Sequence, residues 1–342
     1  MLVASVHYEQ SSTRPAGRDQ GCAPTNVEEP SVTEPLVTVA IPTYNRAEGY
    51  LREALGSALS QDYERLEVLV VDNASQDSTP AYVASVADHR LRYVRNEKNL
   101  GVNGNFNACV AHATGEYVLV LHDDDSIDPD FVTRCMDALR AHPGTAAPGM
   151  IRTGTRVVDA NGMLLHERAN AARGGDAGDL ALDWLNARTS LYFCSTLYNT
   201  AALRAAGGFH SKRDLYIDVA AALRIAAQHA ILDVADVKAS FRRHGGNNGT
   251  AQSILAWCED SSYVLDLMCA SAPDRADEIR RRGIPYFVRS NYHRATRIDR
   301  VLDRLRAYWV VYRHFEYHAL VPRLLAYHGY RRLKRVPDRS LA

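Results

Sequence analysis

The stretch LVTVAIPTYNR, residues 36–46, marks an abrupt change along the chain. A short β-rich run ends here at Pro42, after a polar segment rich in Ser, Thr, Pro, Gly, Gln and Glu. That segment has no apolar period and buries too little apolar surface to fold alone, so residues 1–34 are predicted to be a disordered leader. The ordered part of the chain is therefore expected to begin with a strand near residue 35.

Similar apolar runs recur downstream and alternate with segments of helical spacing. Leu51, Leu55 and Leu59, for example, recur four residues apart, which is typical of a helix. Strands are predicted at 36–41, 66–71, 91–94 and 117–121, with helices at 48–59, 79–87 and 105–113. This alternation, with strands apolar throughout, predicts an α/β fold with a mostly parallel central sheet flanked by helices. Ligands bind at the carboxyl ends of such strands, so polar residues directly after each strand become candidates.

The second half of the chain has a different pattern. Asp159-Ala160-Asn161-Gly162 lies between β-like runs, and Asn-Gly in that position predicts a hairpin. The glycine-rich residues 173–178 are predicted to form a mobile loop, and helices rich in Tyr, His and Arg follow residue 250. We therefore expect a nucleotide-binding catalytic domain at 35–250 and a helical C-terminal region at 251–342.

Composition narrows the class of protein. The 342 residues include 40 Lys plus Arg and 40 Asp plus Glu, so the formal net charge is zero, which argues against nucleic-acid binding. The six scattered cysteines show no zinc-binding or disulfide pattern. No apolar run approaches the roughly 18 residues that cross a bilayer, and no secretory signal is evident. A cytoplasmic location is expected, with attachment to the inner membrane surface left open.

Four polar segments follow the predicted strands. They are Pro42-Thr43-Tyr44-Asn45-Arg46, Asp72-Asn73-Ala74-Ser75-Gln76-Asp77, Asn96-Glu97-Lys98-Asn99-Leu100-Gly101 and His122-Asp123-Asp124-Asp125. Any of the first three alone is compatible with an ordinary turn or helix cap. The acidic segment is more specific. Consecutive carboxylates at the end of a buried strand repel one another, and a hard divalent cation such as Mn²⁺ or Mg²⁺ relieves that repulsion.

In order and spacing, these segments together resemble glycosyltransferase family 2, a group of inverting enzymes with the GT-A fold. The resemblance covers about residues 36–250 and includes Gly207-Gly208-Phe209, followed by an acid and Arg224. It implies a Rossmann-like sheet and transfer of a sugar from a nucleotide-sugar, of UDP or dTDP type, to an acceptor hydroxyl. The nucleotide-sugar contacts it implies are Pro42, Thr43, Tyr44, Asn45, Arg46, Asp72, Asn99, Gly101, Asp123 and Asp124. Asp125 is implied as the ligand of a metal that bridges the diphosphate.

The resemblance also implies a general base. The acidic pair that follows Gly-Gly-Phe in the family falls on Ile217 and Asp218, so Asp218 is the candidate and Asp214 the alternative. Residues 241–248 resemble a segment that closes the site, in which His244 would complete the metal shell or face the diphosphate, and Arg242 or Arg243 would neutralise phosphate.

This sequence departs from the family pattern at several positions. Members often have Asp where His122 stands, an Arg near Phe106 and an acid at Asn73, and the first acid of the pair is lost at Ile217. Two other functions stay open at this stage, a non-catalytic nucleotide-sugar binder or scaffold and a sugar-phosphate nucleotidyltransferase. The latter is disfavoured because no glycine-rich basic loop follows the first strand.

The acceptor is not defined by these motifs. It is expected to be a saccharide, a lipid-linked sugar or a natural product, contacted from the hairpin, the glycine-rich loop and the C-terminal helices. Residues from about Tyr286 onward mix aromatic residues with Arg and end in the basic run 331–335. This region could form a membrane-surface helix or a helical cap whose basic face is solvated. A homodimer contact is left open as well. A solvated cap is favoured because the region lacks a clean apolar stripe.

Overall fold

The computed structural model describes residues 34–144, 146–172, 174–244 and 252–316. The predicted leader, apart from its last residue, and the basic C-terminal segment lie outside these ranges. The strands are β1 Val37–Thr43, β2 Leu66–Asp72, β3 Leu91–Arg95, β4 Tyr117–Val120, β5 Ser126–Ile127, β6 Met150–Val158, β7 Leu164–Arg168, β8 Thr196–Asn199 and β9 Ile231–Arg242. The helices are α1 Leu51–Leu59, α2 Thr79–Ala84, α3 Gly101–His112, α4 Phe131–Arg140, α5 Ala177–Leu185, α6 Thr200–Ala205, α7 Ile217–Ala226, α8 Ile254–Ser271, α9 Ala276–Ala295 and α10 Val301–His314.

The first four strands form the parallel half of the sheet, in the spatial order β3-β2-β1-β4. Every residue of β1 and β2 is buried, as the continuous apolar runs predict. Their carboxyl ends therefore meet at one edge, where Thr43 pairs with Asp72 in register. This arrangement confirms the predicted α/β fold.

The second half of the sheet continues from β4 through β8, β6, β9 and β5. Strand β8 pairs antiparallel with both β4 and β6, while β6 and β9 are parallel. The predicted hairpin is observed as β6 and β7, and Gly162 in its turn has φ 81°. The short strand β5 pairs with β9, which returns the chain to the acidic segment that follows β4.

Helices cover both faces of the sheet. Consecutive residues of β1 point to opposite faces of the sheet, so Val39 and Ala40 belong to two separate apolar clusters. One cluster packs against α1 and α4. The other is larger and includes residues of α3, α5, α7, α8, α9 and α10. The C-terminal helices thus share a core with the sheet, and the predicted division near residue 250 stays a prediction.

Two local predictions need correction. Helix α3 begins at Gly101, earlier than residue 105, and the glycine-rich segment is only partly a loop. Asp176 caps α5, because its side chain accepts from the Asp179 N–H while Asp179 accepts from the Asp176 N–H. This reciprocal capping starts a helix at Ala177, within the predicted loop. None of the helices in the described ranges combines the length and apolar composition needed to cross a bilayer.

Candidate active site

The loop after β1 is tied to the loop after β2 by side-chain hydrogen bonds. The Asn45 N–H donates to Ser75 Oγ at 2.9 Å, and Asn45 Oδ1 accepts from the Gln76 N–H at 2.8 Å. Asn45 has φ 53°, in the left-handed region that asparagine tolerates better than most residues. Thr79 Oγ1 accepts from the Arg46 N–H at 3.1 Å. The two loops therefore form one polar surface at the ends of β1 and β2.

Thr43 and Asp123 join the ends of β1 and β4. Thr43 Oγ1 donates to Asp123 Oδ2 at 2.8 Å, and Arg46 Nε lies 3.9 Å from the same oxygen. Burial raises the pKa of Asp123 to about 6, although the hydrogen bond from Thr43 opposes that effect. Pro42 is buried within β1, whereas Tyr44 is 41% exposed beside this pair. Tyr44 is thus the most accessible ring at this edge for stacking on a base.

Asp72 is fully buried, and both of its oxygens have partners within the protein. Oδ1 accepts from the Ser75 N–H at 2.9 Å, and Oδ2 accepts from the Tyr93 hydroxyl at 2.5 Å. Arg95 Nε lies 3.6 Å from the second oxygen. These contacts order the loop after β2. A direct contact of Asp72 with the nucleotide stays a prediction.

Asn73 organises the third segment. Its Nδ2 donates to Asn99 Oδ1 at 2.8 Å and to the Gly101 carbonyl at 3.2 Å. Its Oδ1 accepts from the Leu100 N–H at 2.8 Å and from Asn96 Nδ2 at 3.1 Å. A carboxylate could accept these bonds but could not donate them. An amide at this position therefore suits this network where an acid would not.

The acidic segment brings three candidate metal ligands together. One ligand atom each from His122, Asp124 and Asp125 lies within 4.8 Å of the others. Asp125 Oδ1 accepts from the Arg242 N–H at 2.9 Å, while Oδ2 is buried without a nitrogen or oxygen donor in the described ranges. Burial, with the charge of Asp124, raises the pKa of Asp125 well above its usual range. A divalent cation would relieve the repulsion and would coordinate the Asp125 oxygen that has no N–H or O–H donor, so these residues fit such an ion.

His122 is held by aromatic rings. Its ring lies 4.7 Å from those of both Phe106 and Phe193, nearly parallel to the first. Burial lowers the pKa of His122, which favours the neutral imidazole. Its Nε2 is buried and has no hydrogen-bond partner in the part of the chain described. The two family departures at Phe106 and His122 therefore belong together, because each side chain packs on the other.

Strand β9 closes the acidic segment from the other side. His244 Nε2 lies 2.7 Å from Asp124 Oδ2, and Arg242 Nε donates to the Asp124 carbonyl at 2.9 Å. The Arg242 guanidinium lies 4.5 Å from the ring centroid of Tyr50 and pairs with Glu53. The structure thus places His244 against Asp124. Its role as a metal ligand stays a prediction.

The Gly-Gly-Phe element forms a tight turn against α3. Gly207 and Gly208 have φ 82° and 72°, and a Cβ on Gly208 would lie 2.3 Å from Asn107 Oδ1. Asn107 holds the turn, because Oδ1 accepts from the Phe209 N–H at 2.8 Å and Nδ2 donates to the Phe209 carbonyl at 2.9 Å. The Phe209 ring is fully buried, 4.6 Å from that of Phe193. The turn therefore supports the aromatic rings behind His122.

Asp218 lies in the first turn of α7 and lines a cavity of about 310 Å³. Burial raises the pKa of Asp218 to about 7, and the negative charge of Asp260 acts in the same direction. The alternative base, Asp214, is exposed, has φ 56° and lines a different cavity. The walls around Asp218 are largely aromatic and are formed by Trp184, Tyr192, Tyr216, Trp257 and Tyr286.

One segment joins this cavity to the acidic cluster. Residues 189–192 line the cavity, and Phe193 directly after them packs on His122. Burial raises the pKa of the Cys194 thiol, and the charge of the Asp125 carboxylate beside it acts in the same direction. Asp218 and the candidate metal ligands thus lie on two sides of the same short segment.

Asp260 of α8 fixes the loop that leads to α7. It is fully buried and accepts four hydrogen bonds of 2.8–2.9 Å, from Ser211 Oγ and from the N–H groups of Arg213, Leu215 and Tyr216. Sequence analysis did not single out this residue. A sequence pattern could have indicated it, because Asp260 lies three residues after Trp257 and four before Val264. This spacing puts the carboxylate on the same helix face as these two apolar residues. The aromatic cavity had no comparable signal, because its residues come from distant parts of the chain.

The fold and the acidic cluster define a protein of the GT-A type. Residues 38–188 match the model for "Glycosyl transferase family 2". This segment, somewhat less than half of the chain, is therefore similar to that family.

Similarity to curated proteins is partial. The chain is 34% identical to the "Succinoglycan biosynthesis protein ExoO" of Rhizobium meliloti (strain 1021) over 139 residues. That match covers 41% of this chain and 39% of the relative. The chain thus corresponds to well under half of this relative's length.

Solved structures share the fold over more of the chain. S. aureus TarS 1–349 superposes with a TM-score of 0.62 at 18% identity, covering 82% of this chain and 79% of that one. The same TarS fragment has also been solved in complex with UDP-GlcNAc. The mannosyltransferase PcManGT from Pyrobaculum calidifontis, in complex with GDP-Man and Mn²⁺, gives a TM-score of 0.53 at 17% identity, covering 90% and 83%. At these identities the comparison shows the GT-A fold.

Proposed function

We propose that this protein transfers a sugar from a nucleoside-diphosphate sugar, of UDP or dTDP type, to an acceptor hydroxyl with inversion at the anomeric carbon. The observation that carries the proposal is the placement of Asp218. It is a half-buried carboxylate that lines a cavity, and residues 189–194 connect that cavity to the acidic cluster. A donor at the acidic cluster and an acceptor in the cavity would therefore meet across this segment.

The donor is proposed to bind along the polar edge formed by the ends of β1, β2 and β4. Tyr44 offers an exposed ring for the base, and the main-chain groups around Asn99 and Gly101 border the same edge. Arg46 and Asp123 lie within reach of each other there. The nucleotide-sugar complex of TarS and the GDP-Man complex of PcManGT support this class of ligand.

A divalent cation, Mn²⁺ or Mg²⁺, is proposed at the acidic cluster. Asp124, Asp125 and His122 would hold it, with His244 positioned by its contact with Asp124. Such an ion supplies Lewis-acid stabilisation of the charge that develops on a diphosphate leaving group. The chain itself prepares the ligands. Phe106 and Phe193 keep the His122 ring in place, and the Arg242 N–H fixes one Asp125 oxygen.

Asp218 is proposed as the general base that accepts the proton of the acceptor hydroxyl. A base works best when its pKa lies near the working pH, and burial brings the pKa of Asp218 to about 7. The Val219 N–H donates to Asp218 Oδ1 at 2.8 Å, which fixes the carboxylate and leaves Oδ2 for the acceptor. The cavity walls would hold the acceptor and exclude water from this oxygen.

A thermal-shift screen of nucleotide-sugars, with and without Mn²⁺, tests the proposed donor and metal. One UDP- or dTDP-sugar should raise the melting temperature only when Mn²⁺ is present. Asp125→Ala should abolish this shift, because it removes a carboxylate that the ion needs. Asp137→Ala is the matched control, since Asp137 is an exposed acid on α4 and should leave the shift unchanged. A donor shift that is insensitive to Mn²⁺ and to Asp125→Ala would contradict the proposed metal site.

The same donor then separates an enzyme from a nucleotide-sugar binder. Product formation with candidate acceptors should occur in the wild-type protein. It should be lost in Asp218→Asn, while the donor-induced thermal shift is retained. A scaffold that only binds the donor would keep its cellular function after this substitution.

A further inference from the structure

The cavity that contains Asp218 is also lined by two arginines that form no ion pair within the described residues. Arg168 and Arg294 both line it. In the described ranges, neither guanidinium lies within 4.0 Å of a carboxylate oxygen, whereas many other arginines of this protein form ion pairs, such as Arg156 with Asp128. Asp218 is the one carboxylate among the described residues that line the cavity.

Arg294 is held in place by neutral groups. Its Nη1 donates to Ser290 Oγ at 2.7 Å, and its Nη2 donates to the Tyr216 hydroxyl at 3.1 Å. The guanidinium carbon lies 3.8 Å from the ring centroid of Trp257. These contacts fix the side chain without neutralising its charge, and they leave further N–H donors unused. Such a fixed guanidinium is well suited to bind a carboxylate or a phosphate.

Arg168 provides a second positive charge at the edge of the cavity. It is the last residue of β7, it is exposed, and its guanidinium forms no hydrogen bond with the described residues. Burial raises the pKa of Tyr192, which also lines the cavity, and the charge of Arg168 opposes that rise. The two arginines thus come from different elements and reach the same space.

The aromatic walls fit a saccharide. The rings of Trp184 and Tyr286 lie 4.9 Å apart, and those of Tyr216 and Trp257 lie 5.3 Å apart. Aromatic faces pack well against the C–H faces of sugar rings, and the tyrosine hydroxyls add polar contacts. The candidate nucleotide and metal groups lie at the strand ends, so the cavity is available for the other substrate.

We propose that the acceptor is an acidic saccharide, whose carboxylate or phosphate is bound by Arg294 and Arg168 while one of its hydroxyls faces Asp218. This inference rests on the proposed function, because it takes the Asp218 cavity as the acceptor site. A neutral acceptor would leave the half-buried guanidinium of Arg294 without a counterion. An acidic acceptor supplies that counterion, and the charge-assisted hydrogen bonds fix its orientation.

Ligand-detected NMR binding to the full chain tests this proposal. The probes are methyl β-D-glucuronide, methyl β-D-glucoside 6-phosphate and the neutral methyl β-D-glucoside, each with UDP and Mn²⁺ present. At least one charged probe should bind about tenfold more tightly than the neutral one, a difference of about 1.4 kcal/mol, because a charge-assisted hydrogen bond is stronger than a neutral one. Comparison of the two charged probes distinguishes a carboxylate acceptor from a phosphate acceptor.

Three variants test which arginines cause the preference for a charged probe. Arg294→Gln should reduce the preference for the charged probe to less than about twofold, because the one charge that remains, that of Arg168, is exposed and screened by solvent. Arg168→Gln should reduce it partly, and this variant cannot disturb packing because the side chain is exposed. Arg281→Gln, on the exposed side of α9 and outside the cavity, is the matched control and should keep the full preference.

The outcomes separate this inference from the proposed function. Equal binding of charged and neutral probes, no binding of either charged probe, or a preference that survives both Arg294→Gln and Arg168→Gln would each overturn the acidic acceptor. The donor thermal shift is measured on the same samples. Loss of that shift in the wild-type protein would overturn the proposed function, whereas an Arg294-dependent preference would still establish an anion-binding cavity.

Discussion

The polar edge at the ends of β1, β2 and β4 and the aromatic cavity around Asp218 are built in different ways. The polar edge comes from residues 42–125, in which each polar segment directly follows a strand. Its hydrogen bonds are mostly between neighbouring loops, as between Asn45 and Ser75. The cavity takes its walls from β7, α5, residues 187–192, α7, α8 and α9.

This difference has a physical cause. Parallel strands place their ends at one edge regardless of what packs elsewhere, so the polar edge depends on the sheet alone. The cavity forms only when helices from the C-terminal region pack against α7, as Asp260 of α8 does by binding the loop before Asp218. The polar edge, where the donor is proposed to bind, should therefore tolerate changes in α8 and α9. The cavity around Asp218, where the acceptor is proposed to bind, should not.

The largest expected effect is that of Asp218→Asn on transfer. Loss of a general base lowers the rate by about 10²–10⁴-fold, and nucleotide-sugar binding should be unchanged because Asp218 lies outside the polar edge. Steady-state kinetics with the donor identified by thermal shift measures this. Asp214→Asn, the exposed neighbour, should leave the rate within a factor of about two. A similar loss in both variants would contradict the assignment of Asp218.

The same substitution should stabilise the protein at alkaline pH. The pKa of Asp218 is raised from 3.8 to about 7, so between these values the native state keeps a proton that the unfolded chain has lost. The free energy of unfolding therefore falls as pH rises through this window. Asp218→Asn should remove that slope, and its melting temperature should exceed the wild-type value at pH 8 but not at pH 4. An unchanged pH slope would mean that the carboxylate is not buried in solution.

Asp260→Asn should have the next largest effect, and it should act on the acceptor side alone. The rate should fall with pH below about 7 in the wild-type protein, because the base must be ionised. Removing the charge of Asp260 lowers the pKa of Asp218, so the acidic limb of the pH–rate profile should move to lower pH. In addition, kcat should fall about tenfold, because the loop at 211–216 loses the hydrogen bonds that order it. The pH profiles of kcat and of kcat/KM measure the change in kcat and the position of the acidic limb, and donor binding is the control. A lower kcat with an unmoved limb would leave Asp260 a purely structural residue.

Gly208→Ala tests the turn that joins the two regions. The added Cβ would lie 2.3 Å from Asn107 Oδ1 at φ 72°, so the free energy of unfolding should fall by about 1–3 kcal/mol. Gly56→Ala is the control, since nothing lies within 4 Å of the added Cβ and the site is helical. It should stabilise by up to about 1 kcal/mol. Urea unfolding distinguishes the two, and equal effects would contradict the described turn.

Asn73→Asp should have the smallest effect and should act on the polar edge. A carboxylate cannot donate to Asn99 Oδ1 or to the Gly101 carbonyl, so about 1–2 kcal/mol of stability should be lost. The donor-induced thermal shift should weaken, while binding of acceptor probes should not change. Asn161→Asp in the exposed hairpin turn serves as the control. A weaker acceptor interaction in Asn73→Asp would show that the two regions are not independent.

Much of the polar edge could be predicted from the sequence. The strand ends placed Thr43, Asp72 and Asp123 at one edge, and the structure brings these residues together. Sequence analysis could not show that the Asp72 carboxylate accepts a hydrogen bond from Tyr93 and pairs with Arg95, because these partners come from the next strand. It also treated His122 and Phe106 as separate departures, whereas the structure shows one stacked pair.

By itself, the sequence determined the α/β order, the parallel half of the sheet, the hairpin and the position of the acidic cluster. These features follow from apolar periodicity and from turn chemistry, which act over a few residues. Only the tertiary structure decided the partial burial of Asp218, the hydrogen bonds by which Asp260 holds the loop before it, and the arginines and aromatic rings that line one cavity. Those depend on contacts between residues far apart in the chain, such as Arg294 with Tyr216 and Trp257, and no local pattern encodes them.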